Sequence, residues 1–164
     1  MAESDASMSE SAGAESAAAE SGMAATAIAA AAAAGLPSST AGDSRALALL
    51  AAEACDDRKA VDIRLIRVDE ISSLADWFVI CSGLTDVQVR AIARSVEDSL
   101  ELEAGRLPLR REGQREGRWV LLDFGDVVVH VFYHESRSFY DLEGLWHDAP
   151  RIDPEELAAA ASNP

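Results

Sequence analysis

Positive charge is scarce in this sequence: 14 Lys and Arg stand against 29 Asp and Glu, for a formal net charge of -15 over 164 residues. That balance excludes wrapping of RNA or DNA along the whole surface, because such binding draws its free energy from cations that neutralise phosphates. A basic protein partner fits it better, and no nucleic-acid readout is expected. Cysteine is scarce too. Cys55 and Cys81 have no CxxC or Cys/His ligand spacing around them, and read as buried free thiols in a reducing compartment. Long apolar runs are missing: the stretch from Met23 to Ala34 is mostly alanine and falls short of the ~18 residues that a membrane span requires. The first 42 residues hold five acidic residues and no Lys or Arg, the reverse of an export or organelle signal, so a soluble cytoplasmic protein is expected.

What is present divides the chain into three parts. Residues 1–42 are Ala, Ser, Gly and Glu with almost nothing large enough to pack, and read as a disordered acidic tail. Residues 43–153 carry the patterns of one domain, and residues 154–164 read as a short C-terminal tail. Within the domain, Asp43 or Ser44 caps a helix carrying Leu47, Leu49, Leu50 and Ala54. A half-solvated strand runs from Asp62 to Val68, and the unbroken apolar run Trp77–Cys81 predicts a central strand buried on both faces.

Gly83 breaks that strand, and Thr85 or Asp86 can cap a second helix with Val89, Ile92, Ala93, Val96 and Leu100 on one face, ended by Gly105. Leu107–Arg111 reads as a short edge strand because of Pro108. A hairpin follows, Trp119–Phe124 and Val127–Tyr133 about a Gly125-Asp126 reversal, and then a helical segment from Ser136 to Trp146. This order predicts an α/β domain with a mixed five-stranded sheet flanked by helices.

Candidate chemistry is sparse. His130 and His134 have the spacing of a helical metal pair, but they begin in a strand, where four residues span roughly 13 Å at about 3.3 Å each. One core histidine and one loop histidine are expected, with no metal and no cofactor. Cys81-Ser82-Gly83-Leu84-Thr85-Asp86 is a strand-turn-helix junction of the kind that holds phosphate in nucleotidyltransferases. The carboxylate pair that would hold two metal ions does not follow it, and Asp123 and Asp126 flank a turn instead. A metal-dependent nucleotidyl or phosphoryl transferase is therefore the alternative to a binding protein. Arg106, Arg110, Arg111, Arg115 and Arg118 form a local basic cluster interleaved with Glu112 and Glu116. A solvated, partly self-paired loop is the favoured reading of it, and a local phosphate contact is the other.

Ser136 to Trp146 gathers Phe139, Tyr140, Leu142, Leu145 and Trp146 with Asp141 and Glu143 in one short stretch. If helical, it places Phe139, Leu142 and Leu145 or Trp146 on one stripe and leaves Tyr140, Asp141 and Glu143 on other faces. Aromatics beside acids are what protein interfaces enrich. A helix that simply closes the core is the competing reading, and Trp119 carries the same ambiguity.

Several blocks in order resemble the ribosomal silencing factor (Iojap-like) family: Lys59-Ala60-Val61-Asp62-Ile63, Asp76-Trp77-Phe78-Val79-Ile80-Cys81-Ser82-Gly83, Gln88-Val89-Arg90-Ala91-Ile92-Ala93, Trp119 through Phe132, and Tyr140-Asp141-Leu142-Glu143-Gly144-Leu145-Trp146. The resemblance implies a fold similar to a nucleotidyltransferase without its active site. It implies a non-enzymatic protein that binds ribosomal protein fourteen of the large subunit and blocks subunit joining when nutrients are scarce, with a second role in large-subunit assembly. A homodimer is compatible with it. Carried over by position, the partner-binding residues are Trp119, Asp123, Phe139, Tyr140, Glu143, Leu145 and Trp146, with Asp123 and Glu143 as acidic complements to a basic protein. Gly144 departs from the Arg or Lys usual in the family, which predicts a helix looser by roughly 1 kcal/mol relative to alanine.

Overall fold

The computed structural model describes residues 41–161. The disordered reading of residues 1–42 falls almost wholly outside them. The first helix, α1 (Ala41–Asp57), starts before the expected caps, so that Asp43 and Ser44 lie inside its first turn. Strands β1 (Val61–Arg67) and β2 (Trp77–Gly83) follow, then helix α2 (Asp86–Ala104), the short strand β3 (Arg110–Glu112), and the hairpin β4 (Trp119–Asp123) with β5 (Val127–Tyr133). Two short helices, α3 (His134–Tyr140) and α4 (Leu142–Leu145), precede β6 (Arg151–Ile152) and α5 (Pro154–Ala161).

Among the described residues the sheet has six strands in the order β3-β4-β5-β2-β1-β6, one more than the sequence pattern predicted. The extra strand is two residues, Arg151 and Ile152, laid antiparallel on Ile66 and Leu65. So short an element has no period to read. The C-terminal assignment also needs correction. Residues 154–161 are not a tail: α5 sinks Leu157 into the core, and the Arg45 guanidinium donates to the Leu157 carbonyl at 3.0 Å.

β2 and β5 pair in parallel at the centre of the sheet, and β2 is buried at every position. A strand flanked by neighbours and covered on both faces must be apolar throughout, which is why the run Trp77–Cys81 marked it. Alternation then assigns two cores. One face carries Leu65, Val79, Cys81, Val120, Leu122, Val129 and Val131 under α1 and α2. Ala48, Ala51, Ala52 and Ala54 let α1 lie close to that face, with Cys55 and Cys81 buried between helix and strand. The other face carries Ile66, Phe78, Ile80, Leu121, Val128 and Phe132, and among the described residues it is covered by the α3–α4 segment, the chain that follows it and the β1–β2 connection at Ala75.

The helix α2 is the best specified element. The Thr85 hydroxyl accepts from the Gln88 amide at 3.0 Å, the Gln88 side chain accepts in return from the Leu84 amide at 2.8 Å, and Gly105 closes the far end at φ +63°. No helix among the described residues is long and apolar enough to cross a membrane.

Candidate functional site

The sheet face opposite α1 and α2 is where the aromatic residues gather. β4 presents Trp119 and β5 presents His130 and Phe132 on it, because residues two apart along a strand share a face and the hairpin register pairs Trp119 with Phe132. The Trp119 ring stacks on Phe132 with centroids 4.8 Å apart and meets Tyr140, brought back by α3, also at 4.8 Å. Trp146 closes edge-on over Phe78 at 5.3 Å. Trp119, Tyr140 and Trp146 are each partly buried, with one side on the core and the other toward solvent.

The single stripe expected between Ser136 and Trp146 does not form. Asp141 takes a left-handed conformation at φ +44°, which breaks the segment into α3 and α4 and rotates the second against the first. Phe139 and Leu145, placed together on that stripe, are 71% and 72% exposed, whereas Tyr140, placed on another face, lies against the core. Leu142 is buried as expected. Two bare apolar side chains thus flank a ledge of three half-covered aromatic rings.

His130 is fully buried at the floor of this ledge. The Trp119 indole N–H donates to its Nδ1 at 3.1 Å, which requires a neutral ring with the proton on Nε2. Burial lowers its pKa to about 3. Nε2 finds no hydrogen-bond partner among the described residues, and Phe78 and Phe132 are its ring neighbours. His134, four residues on, is exposed at the start of α3 rather than in a loop, so the two imidazoles sit in opposite environments.

Arg137 clamps the ledge to the sheet. Its guanidinium donates to the Asp62 carbonyl at 2.7 Å, to the Ser82 hydroxyl at 3.0 Å and to the Glu143 carboxylate at 2.7 Å. Glu143 is therefore engaged inside the protein and is not a free complement to a basic partner. Asp123 needs the same correction: it is 5% exposed and its carboxylate accepts from the Gly125 amide at 2.8 Å, which holds the hairpin turn. Gly144 is not merely a loose residue. A Cβ there would lie 2.2 Å from the Asp141 carboxylate, whose other oxygen accepts the Gly144 amide and caps α4.

The residues of the transferase reading do not assemble. Ser82 is buried against Arg137, Asp123 serves the turn, and Asp126 pairs with Arg106 at 2.8 Å. Among the described residues no group of three His, Cys, Asp or Glu side chains could hold a metal ion.

A family model described as ribosomal silencing factor during starvation matches residues 41–164. The chain belongs to the ribosomal silencing factor family. The ribosomal silencing factor RsfS of Bacillus subtilis is 49% identical over 111 residues, which are 68% of this chain and 93% of that protein. The chloroplastic protein Iojap of Zea mays is 33% identical over 102 residues, 62% of this chain and 44% of that one. Among solved structures, a Chromobacterium violaceum protein superposes with a TM-score of 0.60 at 40% identity, covering 62% of this chain and 83% of that chain. A Bacillus halodurans protein gives 0.56 at 42% identity, covering 63% and 93%.

Two residues that shape the site in this silencing factor were not singled out for it by the sequence. His130 was read as core, but its bond to Trp119 needed the hairpin register, which the paired strands about Gly125-Asp126 could have supplied. Arg137 is a lone cation in an aromatic and acidic segment, and that contrast was the available signal.

Proposed function

We propose that this silencing factor represses translation as a plug. Its aromatic ledge seats on ribosomal protein fourteen of the large subunit, and its bulk then denies that surface to the small subunit. The observation that carries this reading is the pairing of Phe139 and Leu145, both bare, with the half-covered rings of Trp119, Tyr140 and Trp146 on the sheet face that, among the described residues, carries no long helix. Exposed apolar side chains grouped around aromatic rings mark protein contact surfaces, and such rings concentrate binding energy. The family membership and the resemblance noted in the sequence supply the partner.

Mutual exclusion needs affinity and size but no chemistry, in keeping with a non-enzymatic protein. The net charge of -15 favours a basic protein as the contacted component. With Asp123 and Glu143 engaged internally, the ledge contributes mainly apolar area, and charge attraction comes from the acidic surface around it.

The test is co-sedimentation of the full chain with purified large subunits, followed by a subunit-joining assay. Trp119→Ala or Tyr140→Ala should weaken binding by about 2 kcal/mol or more, roughly thirtyfold, and restore joining. Because both rings touch the core, circular dichroism of each variant checks that the fold persists. Normal co-sedimentation of both folded variants would show that the ledge is not the docking surface.

A further inference from the structure

The structure sorts the arginine cluster into two groups. Between residues 106 and 118 there are five arginines and two glutamates, an excess of three positive charges in a chain whose total is -15. Arg106 is bound to Asp126 and to the Phe124 carbonyl, and Arg111 to Glu97 on α2 at 2.9 Å. Arg110, Arg115 and Arg118 are exposed and have no side-chain hydrogen bond or ion pair with any described residue.

Their placement follows from the fold. In the β3–β4 register Arg110 stands opposite Asp123, and Asp123, Leu121 and Trp119 alternate onto one face, so Arg110 is on the face of the aromatic ledge. Arg118 immediately precedes Trp119, and its carbonyl accepts from the Tyr133 amide at 2.8 Å. The loop between β3 and β4 is held in place: Arg90 of α2 donates to the carbonyls of Gln114 and Arg115, and the Gly117 amide donates to the Gly113 carbonyl. Three unpaired cations are therefore presented by fixed backbone along the sheet edge that borders Trp119.

We propose that this edge contacts the RNA phosphate backbone of the large subunit beside the protein surface on which the ledge sits. The proposal rests on the docking reading above and extends it from one component of the particle to two. A basic ribosomal protein would repel these arginines, whereas RNA phosphate is the abundant anion of a ribosomal subunit. The acidic remainder of the chain keeps the contact local: it opposes RNA elsewhere, so only the edge aligned by the ledge gains from neutralising phosphates. Phosphate contacts of this kind set orientation and carry no sequence information.

The experiment compares the full chain with the triple variant Arg110→Gln, Arg115→Gln, Arg118→Gln for binding to purified large subunits across a salt series. With each phosphate contributing a slope of about 0.7 to 0.9, the parent should lose about 20- to 40-fold more affinity than the variant between roughly 50 and 200 mM salt. Hydroxyl-radical footprinting should show a short stretch of ribosomal RNA protected by the parent and exposed with the variant. The three side chains are on the surface, so the melting temperature should not change. Equal salt slopes would overturn the proposal. A lower slope with no change in RNA cleavage would also overturn it, because the anions would then belong to a protein. If Trp119→Ala binds like the parent while the arginine variant loses slope and footprint, the ledge reading fails and the RNA contact stands.

Discussion

Replacing His130 with phenylalanine should make the protein's stability less sensitive to mild acid. The imidazole is buried among Trp119, Phe78 and Phe132, none of which titrates near neutrality, and its pKa falls from the ordinary 6.5 to about 3. Between those two values the unfolded chain takes up a proton that the folded protein refuses, so stability falls as the pH drops below 6.5. Integrated from pH 7 to pH 5, this one group removes about 2 kcal/mol. For a domain of about 120 ordered residues, that is roughly 8 °C of melting temperature. At pH 7 the variant leaves the Trp119 N–H without an acceptor, at a cost of about 1 to 3 kcal/mol, and removes the unpartnered Nε2, which offsets part of it. The informative quantity is the double difference: urea unfolding of parent and variant at both pH values, in which the many carboxylates common to the two proteins cancel. The parent should lose about 2 kcal/mol more than the variant on acidification. Parallel losses would show that the ring is not held neutral, and the account of Trp119 as fixed by a buried acceptor would fall with it.

Gly113→Ala should destabilise the fold by at least about 2 kcal/mol in urea titration, because φ is +81° there and the added Cβ would meet the Trp119 carbonyl oxygen at 1.8 Å. Leu157→Ala should cost about 2 to 3 kcal/mol by the same measurement if α5 belongs to the domain, whereas a free tail would register nothing. The double variant Phe139→Ser, Leu145→Ser should leave the melting temperature within about 2 °C of the parent, since both side chains are bare, while co-sedimentation with large subunits falls at least about tenfold. Loss of stability instead would mean that these side chains pack, and unchanged co-sedimentation would remove them from the interface.

The sequence by itself determined what depends on local pattern. The apolar run Trp77–Cys81 could only be an interior strand, and the spacing of Val89, Ile92, Val96 and Leu100 between Thr85 and Gly105 specified α2 with both ends. Ordered blocks from Lys59 to Trp146 specified the family, since residue identities at many positions survive without coordinates. Tertiary structure decided what depends on partners distant in the chain. Strand β6 exists because Ile66 and Leu65 offer an edge to two residues with no pattern of their own. Helix α5 is part of the domain because Leu157 finds a core more than a hundred residues earlier, at the Arg45 end of α1. At the site, a left-handed backbone at Asp141 divided the segment that the pattern read as one helix, and packing left Phe139 exposed and set Tyr140 against the core. Side-chain geometry engaged Asp123 with the Gly125 amide and Glu143 with Arg137, both near in the chain, and left Arg110, Arg115 and Arg118 unpaired among the described residues. Periodicity reports which side chains want burial; only the packed chain decides which of them, and which charges, remain for a partner.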